Sequence, residues 1–104
     1  MNKIENKQKI NLIIMQPDAF NVCELGGDYY KNELTISFMP DSYYPDYTEV
    51  QTWIMENIDG KVKNIEDVVN EIYNFLMETY QPRELEVSDH IIGCRTHFNV
   101  TVIK

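Results

Sequence analysis

The stretch Asn64–Ile92, NIEDVVNEIYNFLMETYQPRELEVSDHII, decides how this chain folds. Between Asn64 and Tyr80 the apolar residues fall at Ile65, Val68, Val69, Ile72, Tyr73, Phe75, Leu76 and Tyr80. Steps of three and four wrap one wide stripe along an α-helix, the pattern of a helix buried on one side. Asn64 stands where an N-cap is wanted, and Glu66 and Asp67 occupy the first turn, where the positive end of the helix dipole favours acids. Pro82 cannot continue the helix. Two strands are predicted beyond it, Glu84–Ile92 and His97–Ile103, the second alternating as Phe98, Val100, Val102.

Working back toward the amino terminus, Glu33–Met39 alternates strictly, with Leu34, Ile36 and Phe38 on one face of a half-buried strand. Pro40-Asp41 ends it. A loop at Ser42–Asp46 leads into a helix expected from about Thr48 to Asn57, closed by Asp59-Gly60. Lys9–Gln16 reads as a first strand, ended by Pro17, and Gly26-Gly27-Asp28 marks a turn. The order is β-β-α-α-β-β and the class α+β, which predicts an antiparallel sheet with both helices on one face. Sheet edges must be covered or paired, so such a domain is suited to joining copies into a ring or barrel.

Composition narrows the partners. With 104 residues the chain has room for one domain, 1–104, and 43% hydrophobic content suffices for a core. A formal charge of −8, with no cluster of Lys and Arg, lacks the footprint of a protein that grips phosphate backbones, so no direct nucleic-acid partner is expected. The same charge opposes anionic membranes, and no run approaches the roughly 20 apolar residues of a membrane span. The apolar stretch Ile10–Met15 is too short for the core of a signal peptide. Cysteines occur at Cys23 and Cys94 alone, so a cytoplasmic setting with free thiols is expected.

Several local signatures resemble the 7-cyano-7-deazaguanine reductase family, the nitrile reductases of queuosine biosynthesis, which have the tunnelling fold shared with GTP cyclohydrolase I. Pro17-Asp18-Ala19-Phe20-Asn21-Val22-Cys23 is similar to the family's Pro-Glu-Phe-x-x-Leu-Cys approach to its nucleophile. Pro40-Asp41 follows Cys23 by 17 and 18 residues, the family's spacing. Ile65-Glu66-Asp67 resembles the His-Glu-Asp that opens the family's long helix, and Pro82-Arg83-Glu84-Leu85-Glu86-Val87 resembles its Pro-Arg-(Tyr/Phe)-(Ile/Leu)-Glu-Val. The resemblance implies a homo-oligomeric ring with ligand sites between subunits. It also implies a purine-like or pterin-like ligand, Cys23 as nucleophile, and Glu66 as anchor of the ring with Glu49 assisting.

Departures fall at the sites of chemistry. The family's acid, seven residues after the nucleophile, lands on Tyr30, and Asp28 is the nearest carboxylate. Ile65 replaces the histidine. NADPH is the cofactor the family implies, yet its motif Glu-Ser-Lys-Ser-x-Lys-Leu-Tyr is represented by Glu49-Val-Gln-Thr-Trp-Ile-Met-Glu, without either lysine. Gly93-Cys94-Arg95-Thr96 stands for the last hairpin's Pro-Arg-Gly-Gly. Two functions follow. In one, Cys23 attacks the nitrile of a 7-deazaguanine to give a thioimide, which is reduced or passed to an amine without hydride. In the other, the chain is a catalytically degenerate binding or assembly module for a purine or pterin.

Each candidate has a plainer role beside its chemical one. Attack needs a thiolate, hence a cation, helix N-terminus or base near Cys23; otherwise a free cysteine is a small buried residue. A carboxylate offers two adjacent acceptor oxygens to a ring N–H and an exocyclic amine, but Glu66 and Glu49 also suit first helical turns. Arg83 and Arg95 are expected in salt bridges, and Tyr29, Tyr30, Tyr43, Tyr44 and Tyr47 in loop or interface packing. His90, Cys94 and His97 with Cys23 match no common zinc spacing, so no metal is expected.

Overall fold

A computed structural model describes residues 9–15, 31–58, 64–92 and 97–104. The element order is β1 (Ile10–Met15), β2 (Lys31–Met39), α1 (Tyr47–Asn57), α2 (Ile65–Tyr80), β3 (Glu84–Ile92) and β4 (His97–Ile103). The expected β-β-α-α-β-β order and α+β class are therefore observed, with β3 and β4 at their expected bounds. Helix α1 begins one residue before the expected Thr48 because Asp46 caps it. The Asp46 side chain accepts the Glu49 backbone N–H at 3.1 Å, satisfying a donor that the first turn leaves open.

The four strands form one antiparallel sheet in the order β1-β2-β3-β4. Strands β2 and β3 pair along their full length, from Met39 opposite Glu84 to Lys31 opposite Ile92. The helices are thus an excursion that leaves and rejoins the sheet at one end. Asp46, before α1, bonds Tyr80 at the end of α2, and Trp53 stacks on Phe75, so the helices run antiparallel to each other.

Alternation puts Leu34, Ile36 and Phe38 of β2 and Leu85, Val87 and Ile91 of β3 on one face, all buried. Onto it α2 presses Ile65, Val68, Val69, Ile72, Leu76 and Tyr80, and α1 adds Val50 and Ile54. Burying a Val, Leu or Ile side chain contributes about 1.5–3 kcal/mol, so this shared face dominates stability. Asn64 occupies the N-cap position of α2 with extended backbone, but its side chain makes no capping bond. At the other end Gln81 takes the left-handed conformation that favours glycine (φ 48°), and its N–H closes the helix on Met77.

Most of the described side chains on the other face of the sheet are polar, although Ile103 of β4, opposite Glu86, is exposed on it. Glu33, Thr35 and Ser37 of β2, Glu86, Ser88 and His90 of β3, and Asn99 and Thr101 of β4 share it. Thr101 donates to Ser88 at 3.0 Å, and Ser88 donates to Asn99 at 2.8 Å. Such a face suits water rather than a second apolar layer. Strands β1 and β4 are the edges of the described sheet, and neither INLIIM nor HFNVTVI contains a lysine, a proline or an acid. Those are the residues that usually keep an edge from pairing.

Candidate functional site

Antiparallel geometry gathers one set of ends together. Lys31 at the start of β2, Ile92 at the end of β3 and His97 at the start of β4 lie in register at one end of the sheet, and β1 ends near it with Met15 opposite Glu33. Helix α2 returns toward β3 through a connection of three residues, so its start, with Glu66, lies at this same end. Glu66 and Asp67 are exposed in the first turn. No described residue bonds the Glu66 carboxylate; Asn70 donates instead to the Glu66 backbone carbonyl at 2.8 Å. Among the described residues, both Glu66 carboxylate oxygens are left as acceptors beside the positive end of a helix dipole.

Cys23, Asp28, Tyr29, Tyr30, Cys94 and Arg95 lie outside the described residues, as does the Gly26-Gly27 turn. The described residues nearest in the chain to Cys23 and Asp28 are Met15 and Lys31.

Glu49 is elsewhere. It sits in the first turn of α1, where its carboxylate accepts the Tyr80 hydroxyl proton, and the same hydroxyl oxygen accepts the Asp46 N–H at 3.2 Å. Tyr80 thereby does what the acid of a capping box does when it reaches back to the cap residue. Burial, then the bond to Glu49, hold the Tyr80 hydroxyl well above the ordinary tyrosine pKa, so it remains a proton donor. The ring meets Phe38 edge-on at 5.9 Å and Phe75 at 6.4 Å, tying sheet and helix together. Since α2 rises about 1.5 Å per residue, Glu66 and Tyr80 stand about 21 Å apart along the helix. Within one protomer, Glu49 and Glu66 do not share a site.

The segment Glu49–Glu56 that corresponds to the NADPH motif builds structure. Val50 and Ile54 are in the core, Trp53 stacks on Phe75 with centroids 4.4 Å apart, and the segment carries no cation to meet nucleotide phosphates. Arg83 pairs with Asp41 at 3.0 Å, and both are about half exposed. Two of the family-like motifs, Pro40-Asp41 and Pro82-Arg83, therefore meet as a clamp across the ends of β2 and β3, where the Arg83 N–H also donates to the Met39 carbonyl at 2.8 Å. At this same far end a shallow depression of about 170 Å³ is lined by Lys9, Met39, Glu84, Glu86 and Lys104 among others. Its lysines and glutamates largely offset each other, and it does not adjoin Glu66.

One buried ionisable group had no place in the sequence reading. Asp89 is fully buried on the helix side of β3, and among the described residues neither of its carboxylate oxygens has a hydrogen-bond partner. Burial pushes its carboxyl up to about 7, while the peptide N–H of His90, next in the chain, lowers it to a smaller extent. The signal was present in ELEVSDHII, where alternation puts Asp89 on the face of Leu85, Val87 and Ile91.

Among the described residues, no three His, Cys, Asp or Glu side chains are grouped to hold a metal ion, and no helix is long and apolar enough to cross a membrane. The chain matches no family model and no curated protein.

Proposed function

We propose that this chain is a cytoplasmic tunnelling-fold subunit that joins copies edge to edge and binds a 7-deazaguanine or a related purine-like or pterin-like ring between them. The observation that carries the reading is Glu66. Among the described residues nothing engages its exposed carboxylate, which stands at the end of the sheet where β3 ends and β4 begins. Unguarded edges at β1 and β4 support assembly by strand pairing, and the polar sheet face suits the wet interior of a barrel.

In this reading the Cys23 thiolate adds to the nitrile carbon, one C–N π bond opens, and the nitrogen takes a proton, leaving a covalent thioimide. Asp28 is the nearest candidate for proton delivery. An incoming amine then forms a C–N bond as the C–S bond breaks and the thiolate leaves, giving an amidine with no change in oxidation state. The absence of cations from Glu49–Glu56 favours this hydride-free course over nicotinamide chemistry. That same feature, with Glu49 already engaged by Tyr80, favours the second reading, a ring-binding module without catalysis.

Incubation with 7-cyano-7-deazaguanine followed by intact-mass analysis separates the readings. A stoichiometric adduct that disappears in Cys23→Ala is expected. Thermal stabilisation by the ligand without an adduct would establish the binding module instead. Loss of NADPH absorbance in a parallel sample would restore reduction.

A further inference from the structure

We propose that Asp89 makes the packing of α2 on the sheet proton-dependent: the core accepts the uncharged carboxyl, and the carboxylate forces this end of the core to loosen. Asp89 lies opposite Leu34 of β2 and Val100 of β4 in the ladder, between Val87 and Ile91 of its own strand. It stands five residues past Glu84, about 17 Å along β3 at roughly 3.3 Å per residue. Helix α2, running back alongside, covers that length in about eleven residues, which sets Asp89 near the level of Val68 and Val69.

The buried core side chains described on its side of the sheet are apolar. On the same side β2 offers Leu34 and Ile36, and α2 offers Ile65, Val68, Val69 and Ile72. The charged groups of these elements are turned elsewhere. Glu33 and His90 lie on the opposite face of the sheet by alternation, Glu66 and Asp67 are exposed, and Glu71 sits half-buried on the flank of α2. Among the described residues no cation meets the Asp89 carboxylate. An unpaired buried charge is far more costly than an unpaired buried neutral acid, so the proton stays.

The sign follows from linkage. A native pKa near 7 against an unfolded value of about 3.9 means that the folded state binds more protons between those limits. Asp89 imposes no proton-linked cost below about pH 4. Its contribution to stability falls as pH rises toward 7 and levels off above. The part of the fold most affected is the first two turns of α2 and the sheet beside them.

Denaturant unfolding of the wild-type chain and of Asp89→Asn at about pH 5 and about pH 7.5, at fixed ionic strength, tests this. Between those two pH values the wild-type folding constant, relative to that of the variant, is expected to fall by roughly 50–100-fold. A ratio constant within about twofold would overturn the proposal. Should the variant not fold, the aspartate side-chain carboxyl carbons of the wild-type protein decide by NMR titration. One carbon titrating near pH 7 supports the device, and every aspartate titrating below about pH 5 overturns it.

Discussion

Tyr80→Ala should cost the fold about 3–5 kcal/mol, the range for removing a large aromatic side chain from a packed core. Tyr80 is buried to 2% exposure between Phe38 of the sheet and Phe75 of its own helix. A domain of this size has about 5–15 kcal/mol in total, so the loss takes about a fifth of its stability or more. Tyr80→Phe isolates the polar part. The ring remains, while the Asp46 N–H loses its acceptor and Glu49 its donor, for about 1–2 kcal/mol. Trp53, the single tryptophan, stacks on Phe75 and reports unfolding by fluorescence. A Tyr80→Phe variant as unstable as Tyr80→Ala would mean that the hydroxyl, not the ring, holds the helices to the sheet.

Glu66→Gln should leave the fold nearly untouched while removing ligand affinity. Its carboxylate is exposed and unbonded among the described residues, so folding loses little beyond a dipole contribution of about 0.3–1 kcal/mol. In the proposed site both oxygens accept hydrogen bonds from the ring, and the amide turns a donor toward a donor. Charged hydrogen bonds of about 1.5–3 kcal/mol translate into a loss of roughly 10- to 150-fold in affinity for 7-cyano-7-deazaguanine by calorimetry. Glu49→Gln is the internal contrast, because Glu49 faces Tyr80. It should lower stability more than Glu66→Gln does, with little change in affinity within one protomer's share of the site. Equal affinities for wild type and Glu66→Gln would remove the anchor from the account.

Much of the architecture was legible because it depends on local periodicity. The helical stripe from Ile65 to Tyr80 and the alternation of Leu34, Ile36 and Phe38 are near-neighbour patterns, and the same residues form the core. What escaped depends on contacts distant in sequence. Tyr80 read as one more apolar position, since the Asp46 and Glu49 groups that use its hydroxyl lie 34 and 31 residues earlier. Asp89 drew no reading from the sequence; alternation puts it on the apolar face of β3, and the β2–β3 and β3–β4 registers set Leu34 and Val100 opposite it. Arg83 was expected in a salt bridge, and the pairing with Asp41 across the strand ends is of that kind, worth at most about 1 kcal/mol at such exposure. Cys23 and Glu66 were linked by family resemblance. The described topology places Glu66, at the start of α2, at the end of the sheet where β3 ends and β4 begins, while Cys23 lies outside the described residues.

Assembly underlies the whole functional account, because a ring-binding cleft between protomers needs the free sides of β1 and β4 to find partners. Sedimentation equilibrium at micromolar concentration measures this directly. The account predicts a particle whose mass is a multiple of the 12.3 kDa chain, with no monomer at the plateau. A single species of 12.3 kDa, with or without 7-cyano-7-deazaguanine, would contradict it.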